Sequence, residues 1–199
     1  MKNKIRYGSK SFWDNFYSEE SIEENIGASW KARQLYRYEQ YLNILDGFEK
    51  RFENICDIGC SYGDFTKTIN NFLKPKNILG LDQSHLAIER ACEKNKASNL
   101  KFDFSSLPSL DKIKDKKFNF FLLLEVFYYL KKEDRILSLY NIHKGLSDGG
   151  FILVSVVLGK KPYFNKIDIL RYINIFFEIK KINFVYNRFY NKFEKNLNT

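Results

Sequence analysis

Residues 54–66 read NICDIGCSYGDFT. A short apolar run closes on Asp57, two glycines follow four residues apart, and the chain then turns polar with helical spacing. This is how a buried parallel strand passes into a crossover helix, and such a turn is Gly-rich so that backbone can approach a ligand. Gly59 lets the chain leave the strand tightly, and Gly63 lets the next helix start close against the sheet. Ser61 stands at the middle position of a G-x-G-x-G pattern, where a pyrophosphate would rest on bare backbone. A dinucleotide is therefore a poor guest.

Outward from this segment, short apolar runs alternate with amphipathic stretches. NICDIG (54–59), NILGLD (77–82), LKFDF (100–104), FNFFLLLE (118–125) and GFILVSVV (150–157) read as strands. GDFTKTINNFL, SHLAIERACEKNK and KEDRILSLYNIHKGL between them read as helices. The alternation predicts an α/β fold with a doubly wound, mostly parallel sheet. Two helices are expected before it. One carries Phe12, Trp13, Phe16 and Tyr17; the other repeats Leu35, Tyr38, Leu42 and Leu45 at three- and four-residue steps, joined near Trp30 with Ser29 as a cap. After it come a helix, FNKIDILRYINIFF, a strand, EIKKINFVYN, and a basic aromatic tail, RFYNKFEKNLNT.

The 199 residues, 44% hydrophobic and 29% charged, suit one globular domain. Its parts are an N-terminal helical lid (1–46), a ligand-binding core (47–158) and a C-terminal helix, strand and basic tail (159–199). The net charge of +9 permits an acidic partner such as nucleic acid. The excess of Lys beside many Asn, Ile, Phe and Tyr equally fits an AT-rich genome. Cys56, Cys60 and Cys92 make no disulfide framework, and with no signal-peptide pattern they point to the cytoplasm. Cys56 and Cys60 lack a second Cys or His pair, and His85 and His143 stand in unrelated segments, so no metal site is expected. The run FNFFLLLEVFYYL is too short to span a bilayer and holds Glu125.

Acids end three successive strands. A sulfonium cofactor carries an ammonium, a carboxylate and a ribose diol. Asp57 suits the ammonium, the loop backbone the carboxylate, Asp82 the ribose hydroxyls, and Asp103 an adenine amino group. The ordered set CDIGCSYGDF, ILGLDQSHLAIERA, LKFDFSSLP, FLLLEVFYYL and LSDGGFILVS resembles the class I S-adenosylmethionine-dependent methyltransferases over residues 50–158. EVFYYL, IGCSYGDFT and the upstream RYEQYLNIL are similar to small bacterial N-methyltransferases of the nodulation-protein-S kind.

The resemblance implies a Rossmann-like sheet whose seventh strand is short or missing here. It implies that Gly59, Cys60, Asp82, Gln83 and Asp103 line S-adenosylmethionine, with Ser61 and Gly63 in the same turn and the Phe104 N–H at the adenine. Arg37 would clamp the cofactor carboxylate, and Glu125 and Val126 would stand beside the methyl group. Glu125, with Tyr128 as an alternative, is the candidate to hold or deprotonate an acceptor amine or hydroxyl; Tyr128 and Tyr129 can equally be packing residues. Lys160, Lys161 and Tyr163 in GKKPYFNK fit either an anionic or sugar substrate or a solvated turn. The expected activity is methyl transfer to a small molecule, such as a sugar, by a monomer or homodimer, leaving S-adenosylhomocysteine. RNA methylation and a non-catalytic scaffold are the alternatives; no NPPY-type motif follows the fourth strand, where the chain reads EVFY.

Overall fold

The computed structural model describes residues 8–18, 27–160 and 163–185. Helices α1 (Lys10–Ser18) and α2 (Gly27–Asp46) precede β1 (Asn54–Ile58), α3 (Asp64–Leu73), β2 (Asn77–Asp82), α4 (His85–Lys94) and β3 (Leu100–Phe104). Next come β4 (Phe118–Leu124), α5 (Lys132–Gly145), β5 (Leu146–Ser155) and α6 (Lys166–Ile173). The five strands form one sheet in the order β3-β2-β1-β4-β5, and every pair is parallel. After β1 the chain fills the sheet in one direction through β2 and β3, then returns to the other side of β1 for β4 and β5. The reversal puts a crevice beyond the carboxyl ends of β1 and β4, where open α/β sheets bind ligands.

Both faces are covered, as the near-continuous apolar strands require. On one face Tyr41 and Leu45 of α2 and Phe65 and Ile69 of α3 pack on Ile55, Ile78, Phe120 and Leu122. On the other, Leu139 and Ile142 of α5 and Ile169 of α6 pack on Cys56, Ile58, Leu81, Phe121 and Leu123. The alternation of one strand between the two clusters, Phe120 and Leu122 against Phe121 and Leu123, is the two-residue period of the pleat.

Four sequence expectations are corrected. The second helix begins at Gly27, so Ser29 lies within it and is not its cap. Its inward stripe is Tyr38, Tyr41, Leu42 and Leu45, whereas Leu35 is exposed. β5 begins at Leu146, four residues before the expected start: Leu146 already pairs with Phe118, and an irregularity before the Phe120–Phe151 pair, with Gly149 at φ +64°, lets the glycines stay in the strand. Residues 178–185 of the expected strand EIKKINFVYN form no strand; their β-like pattern has no paired neighbour among the described residues. The basic tail from 188 onward lies outside the described residues, as does Lys161. Among the described residues no helix is long and apolar enough to cross a membrane, and no cluster of three potential ligands could hold a metal ion.

Candidate functional site

The turn after β1 is tied down at each step. Gly59 and Cys60 both donate their N–H groups to the Leu81 carbonyl, at 2.7 and 3.0 Å, and the Ser61 N–H donates to Asp82 Oδ2 at 3.0 Å. Gly59 (φ +82°) and Gly63 (φ +75°) take left-handed conformations. A Cβ on Gly59 would fall 2.2 Å from Val126 Cγ2, and one on Gly63 2.5 Å from Phe102 Cζ. Neither position has room for a side chain. Ser61 adopts φ +53°, so it occupies the conformation that the missing middle glycine would take freely.

Two acids are sealed under this turn. Asp57 is 3% exposed and accepts a hydrogen bond from Thr66 Oγ1 at 2.6 Å. Burial, opposed by the Thr66 bond and reinforced by the charge of Asp82, raises its pKa to about 6. Asp82 is also buried; Oδ1 accepts the Ser84 N–H at 2.9 Å while Oδ2 accepts that of Ser61. Burial raises its pKa too, against the pull of those backbone donors. Among the described residues no Lys or Arg forms an ion pair with either acid. A cationic ligand that also offers hydroxyls therefore fits: it would offset two buried negative charges, and each Asp82 oxygen keeps acceptor capacity beyond its one N–H.

At the β3 tip, Asp103 pairs with Lys112 at 3.2 Å, and Phe104 donates its N–H to Asp103 Oδ1 at 2.8 Å. The expected Phe104 donor is thus engaged by its neighbour, a local competition that residue spacing does not reveal. The Phe104 ring stacks on His85, centroids 3.9 Å apart and planes 10° from parallel. His85 is the first residue of α4, whose cap is Ser84 accepting from the Ala87 N–H. Gln83 reaches back to the Gly8 carbonyl.

Beyond β4 the chain makes a second tight turn. Glu125 has φ +59°, and its N–H donates to the Ser155 carbonyl at 2.9 Å, prolonging the β4–β5 ladder by one residue. Its carboxylate accepts hydrogen bonds from Ser155 Oγ on Oε1 and from Tyr128 OH, 3.1 Å from Oε2; Arg37 lies 3.9 Å from Oε2. Tyr41 of α2 donates in turn to Ser155 Oγ at 2.8 Å. Burial and the adjacent Glu125 charge push the Tyr128 phenol pKa upward, so it stays protonated and acts as a donor to the carboxylate. Ser155 and Tyr41 escape sequence reasoning, being 30 and 114 residues from the partners they bond. Tyr129 packs on Tyr128, ring centroids 4.4 Å apart, and Tyr163 on Tyr128 at 5.3 Å, while Lys160 is exposed. His143 sits at the far end of α5 against Phe176 and Phe177.

From Glu125 a groove of about 1450 Å³ follows β5, between Tyr36, Tyr41 and Ile44 of α2 and the segment around Phe177. Of the cysteines, Cys56 and Cys60 are buried, which pushes both thiols up, and Cys92 on α4 is exposed.

Residues 56–152 match the family described as a methyltransferase domain. The carboxy-S-adenosyl-L-methionine synthase of Shewanella sediminis is 30% identical over 135 residues, 62% of this chain and 54% of that protein. The chain spans about half the length of this relative. Among solved structures, the PH0226 protein of Pyrococcus horikoshii superposes with a TM-score of 0.69 at 15% identity, over 87% of this chain and 94% of that one. The N-methyltransferase NodS of Bradyrhizobium japonicum, solved with S-adenosyl-L-homocysteine, gives 0.53 at 21% identity over 71% of each chain. These likenesses establish the fold.

Proposed function

We propose that this chain is a class I S-adenosylmethionine-dependent methyltransferase that transfers a methyl group to an amine or hydroxyl of a small molecule, such as a sugar or other metabolite. The observation that carries the reading is the pair of buried acids beside one glycine turn, Asp57 and Asp82, which pair with no cation among the described residues, with a third carboxylate, Glu125, held at the next strand tip. S-adenosylmethionine, when bound, supplies a methyl group on an already activated sulfonium leaving group.

The protein's part is then orientation and exclusion of water. Asp57 would face the ammonium, Asp82 the ribose diol and Asp103 the adenine amino group. Gly59, Cys60, Ser61, Gly63 and Gln83 would close around the ligand, with the Phe104 N–H available once released by Asp103. Arg37 would reach the cofactor carboxylate from α2. Glu125, its carboxylate steadied by Ser155 and Tyr128, would hold the acceptor's polar hydrogen and receive it as the new bond forms. The whole of 1–199 is proposed as a single cytoplasmic domain, with 1–46 as lid and 159–199 as a C-terminal extension, acting as a monomer or homodimer.

Titration calorimetry with S-adenosylhomocysteine tests the first half: the wild type binds and Asp82→Ala does not, whereas no binding by the wild type would sink the proposal. Incubation with methyl-labelled cofactor and a fractionated cell extract then identifies the acceptor. The likeness to a carboxy-S-adenosyl-L-methionine synthase motivates a second reading, in which the cofactor itself is the substrate. Mass spectrometry of the cofactor after incubation with the same extract, the source of both the methyl acceptor and any carboxyl donor, separates the two, since one predicts loss of a methyl group and the other gain of a carboxyl group from that donor.

A further inference from the structure

The sheet has two edges, and they are built differently. β3, at one edge, is five residues long and carries Lys101 and Asp103, the short and charged form that resists pairing with another chain. β5, at the other, is ten residues long, and from Phe151 to Val157 the chain reads FILVSVV without a charge. None of the ten is buried, whereas β4 beside it is buried along most of its length. Among the described residues no strand pairs with the outer edge of β5. The Ser155 carbonyl accepts from the β4 side, so the alternation of strand backbone turns the N–H and C=O groups of Ile152 and Val154 outward.

Ile152 and Val154 line the groove that runs away from Glu125. At about 3.3 Å per residue β5 extends for roughly 33 Å, so a small acceptor held at Glu125 fills one end only. The volume of about 1450 Å³ also exceeds the roughly 300–1,000 Å³ of small-molecule pockets. The two sides of the groove differ in chemistry. α2 offers Tyr36, Ile44 and Phe48, while Lys144 of α5 and Lys166 of α6 belong to the elements on the opposite face of the sheet, with Lys180 and Lys181 in the segment beyond. Of the acids on the groove, Glu125 pairs with Arg37 and Glu178 with Lys180, and the third is Asp148.

An extended polypeptide can meet the outward backbone groups of a strand edge by joining the sheet, a ladder that a nucleic acid does not form. Its side chains would face the α2 wall and the lysine wall in turn, because successive residues of a strand point to opposite faces. Charge then decides among polypeptides. Residues 186–199 of this chain hold Arg188, Lys192 and Lys195 against Glu194, and a second copy would bring the same lysines to the same rim. Both set like charges against each other. We propose that the outer edge of β5 docks an extended segment of a partner protein, apolar at alternate residues and acidic between them, which adds to the sheet as a further strand.

The test is fluorescence anisotropy of the full-length protein with a labelled peptide of about eight residues, the length of an ordinary strand, that alternates valine and glutamate. Saturable binding in the micromolar range is expected. The double variant Lys144→Glu/Lys166→Glu, checked for folding by circular dichroism, should bind about tenfold more weakly. Methylating alternate backbone nitrogens of the peptide, in either register, removes ladder donors and keeps the side chains, and should abolish binding to the wild type. Absence of binding by the wild type, binding that survives backbone methylation, or equal affinity for a peptide with lysine in place of glutamate overturns the proposal. So does tighter binding of an oligouridylate of similar length or of a peptide with the sequence of residues 186–199, and so does a homodimer in sedimentation that excludes the peptide.

Discussion

At the tips of β1 and β2 the backbone is closed on itself: three consecutive N–H groups bond to Leu81 and Asp82, two glycines have no space for a methyl group, and two carboxylates lie beneath. At the tips of β4 and β5 a single carboxylate is held by side chains from three separate elements and opens on a groove of about 1450 Å³. The first region is shaped for one fixed ligand by backbone geometry. The second adapts through replaceable side chains, as the proposed function asks of the side that meets an acceptor.

Four experiments can break or sharpen this contrast. The largest effect is expected from Asp82→Ala, which removes the acceptor of two backbone donors and the proposed ribose contact. S-adenosylhomocysteine affinity should fall about a hundredfold or more. Ser155→Ala, on the open side, should leave that affinity within about threefold, and equal losses in the two variants would erase the distinction. Next is Gly59→Ala, which sets a methyl group 2.2 Å from Val126 Cγ2 at a φ of +82°. Thermal or urea unfolding should show a loss of about 2–3 kcal/mol. Adding Val126→Ala should relieve the contact without curing the φ, so the double variant recovers only part of the loss.

Asp57→Asn probes the buried charge. The folded-state pKa of Asp57 is raised from the ordinary carboxyl value to about 6. As pH rises through the ordinary carboxyl range the unfolded chain gives up its proton while the folded chain keeps it, so stability falls until about pH 6 and is level above. The asparagine variant lacks this penalty. It should gain on the order of 2 kcal/mol over wild type at pH 7.5 and little at pH 4, while losing affinity for S-adenosylhomocysteine. An equal stability change at both pH values would remove the charge from the explanation. The smallest effect belongs to Ser61→Gly. Relief of a left-handed serine, less the entropy of a glycine, should stabilise by about 0.5–1 kcal/mol in denaturant unfolding.

The same contrast explains what the sequence reveals. β2 and β3 run over the expected residues 77–82 and 100–104, and β1 and β4 end one residue early, because short apolar runs bounded by Asp, Gly and Asn specify strands locally. The glycine turn and its acids are legible for the same reason, since their partners lie within one strand-turn-helix unit or its neighbour. Residues 146–149 read as lying ahead of the strand because the irregularity that admits them into β5 is set against Phe118, a strand away. The Tyr41–Ser155–Glu125 chain joins residues distant in sequence, and no local pattern marks such contacts. The resemblance assigns the Phe104 N–H to a ligand, but its own neighbour competes for it.

The division of the three thiols has a practical side. With Cys56 and Cys60 buried and poorly ionised and Cys92 exposed on α4, a maleimide at neutral pH should attach at Cys92 alone. The unaltered protein thus offers one reactive thiol, on α4, for a single spectroscopic label.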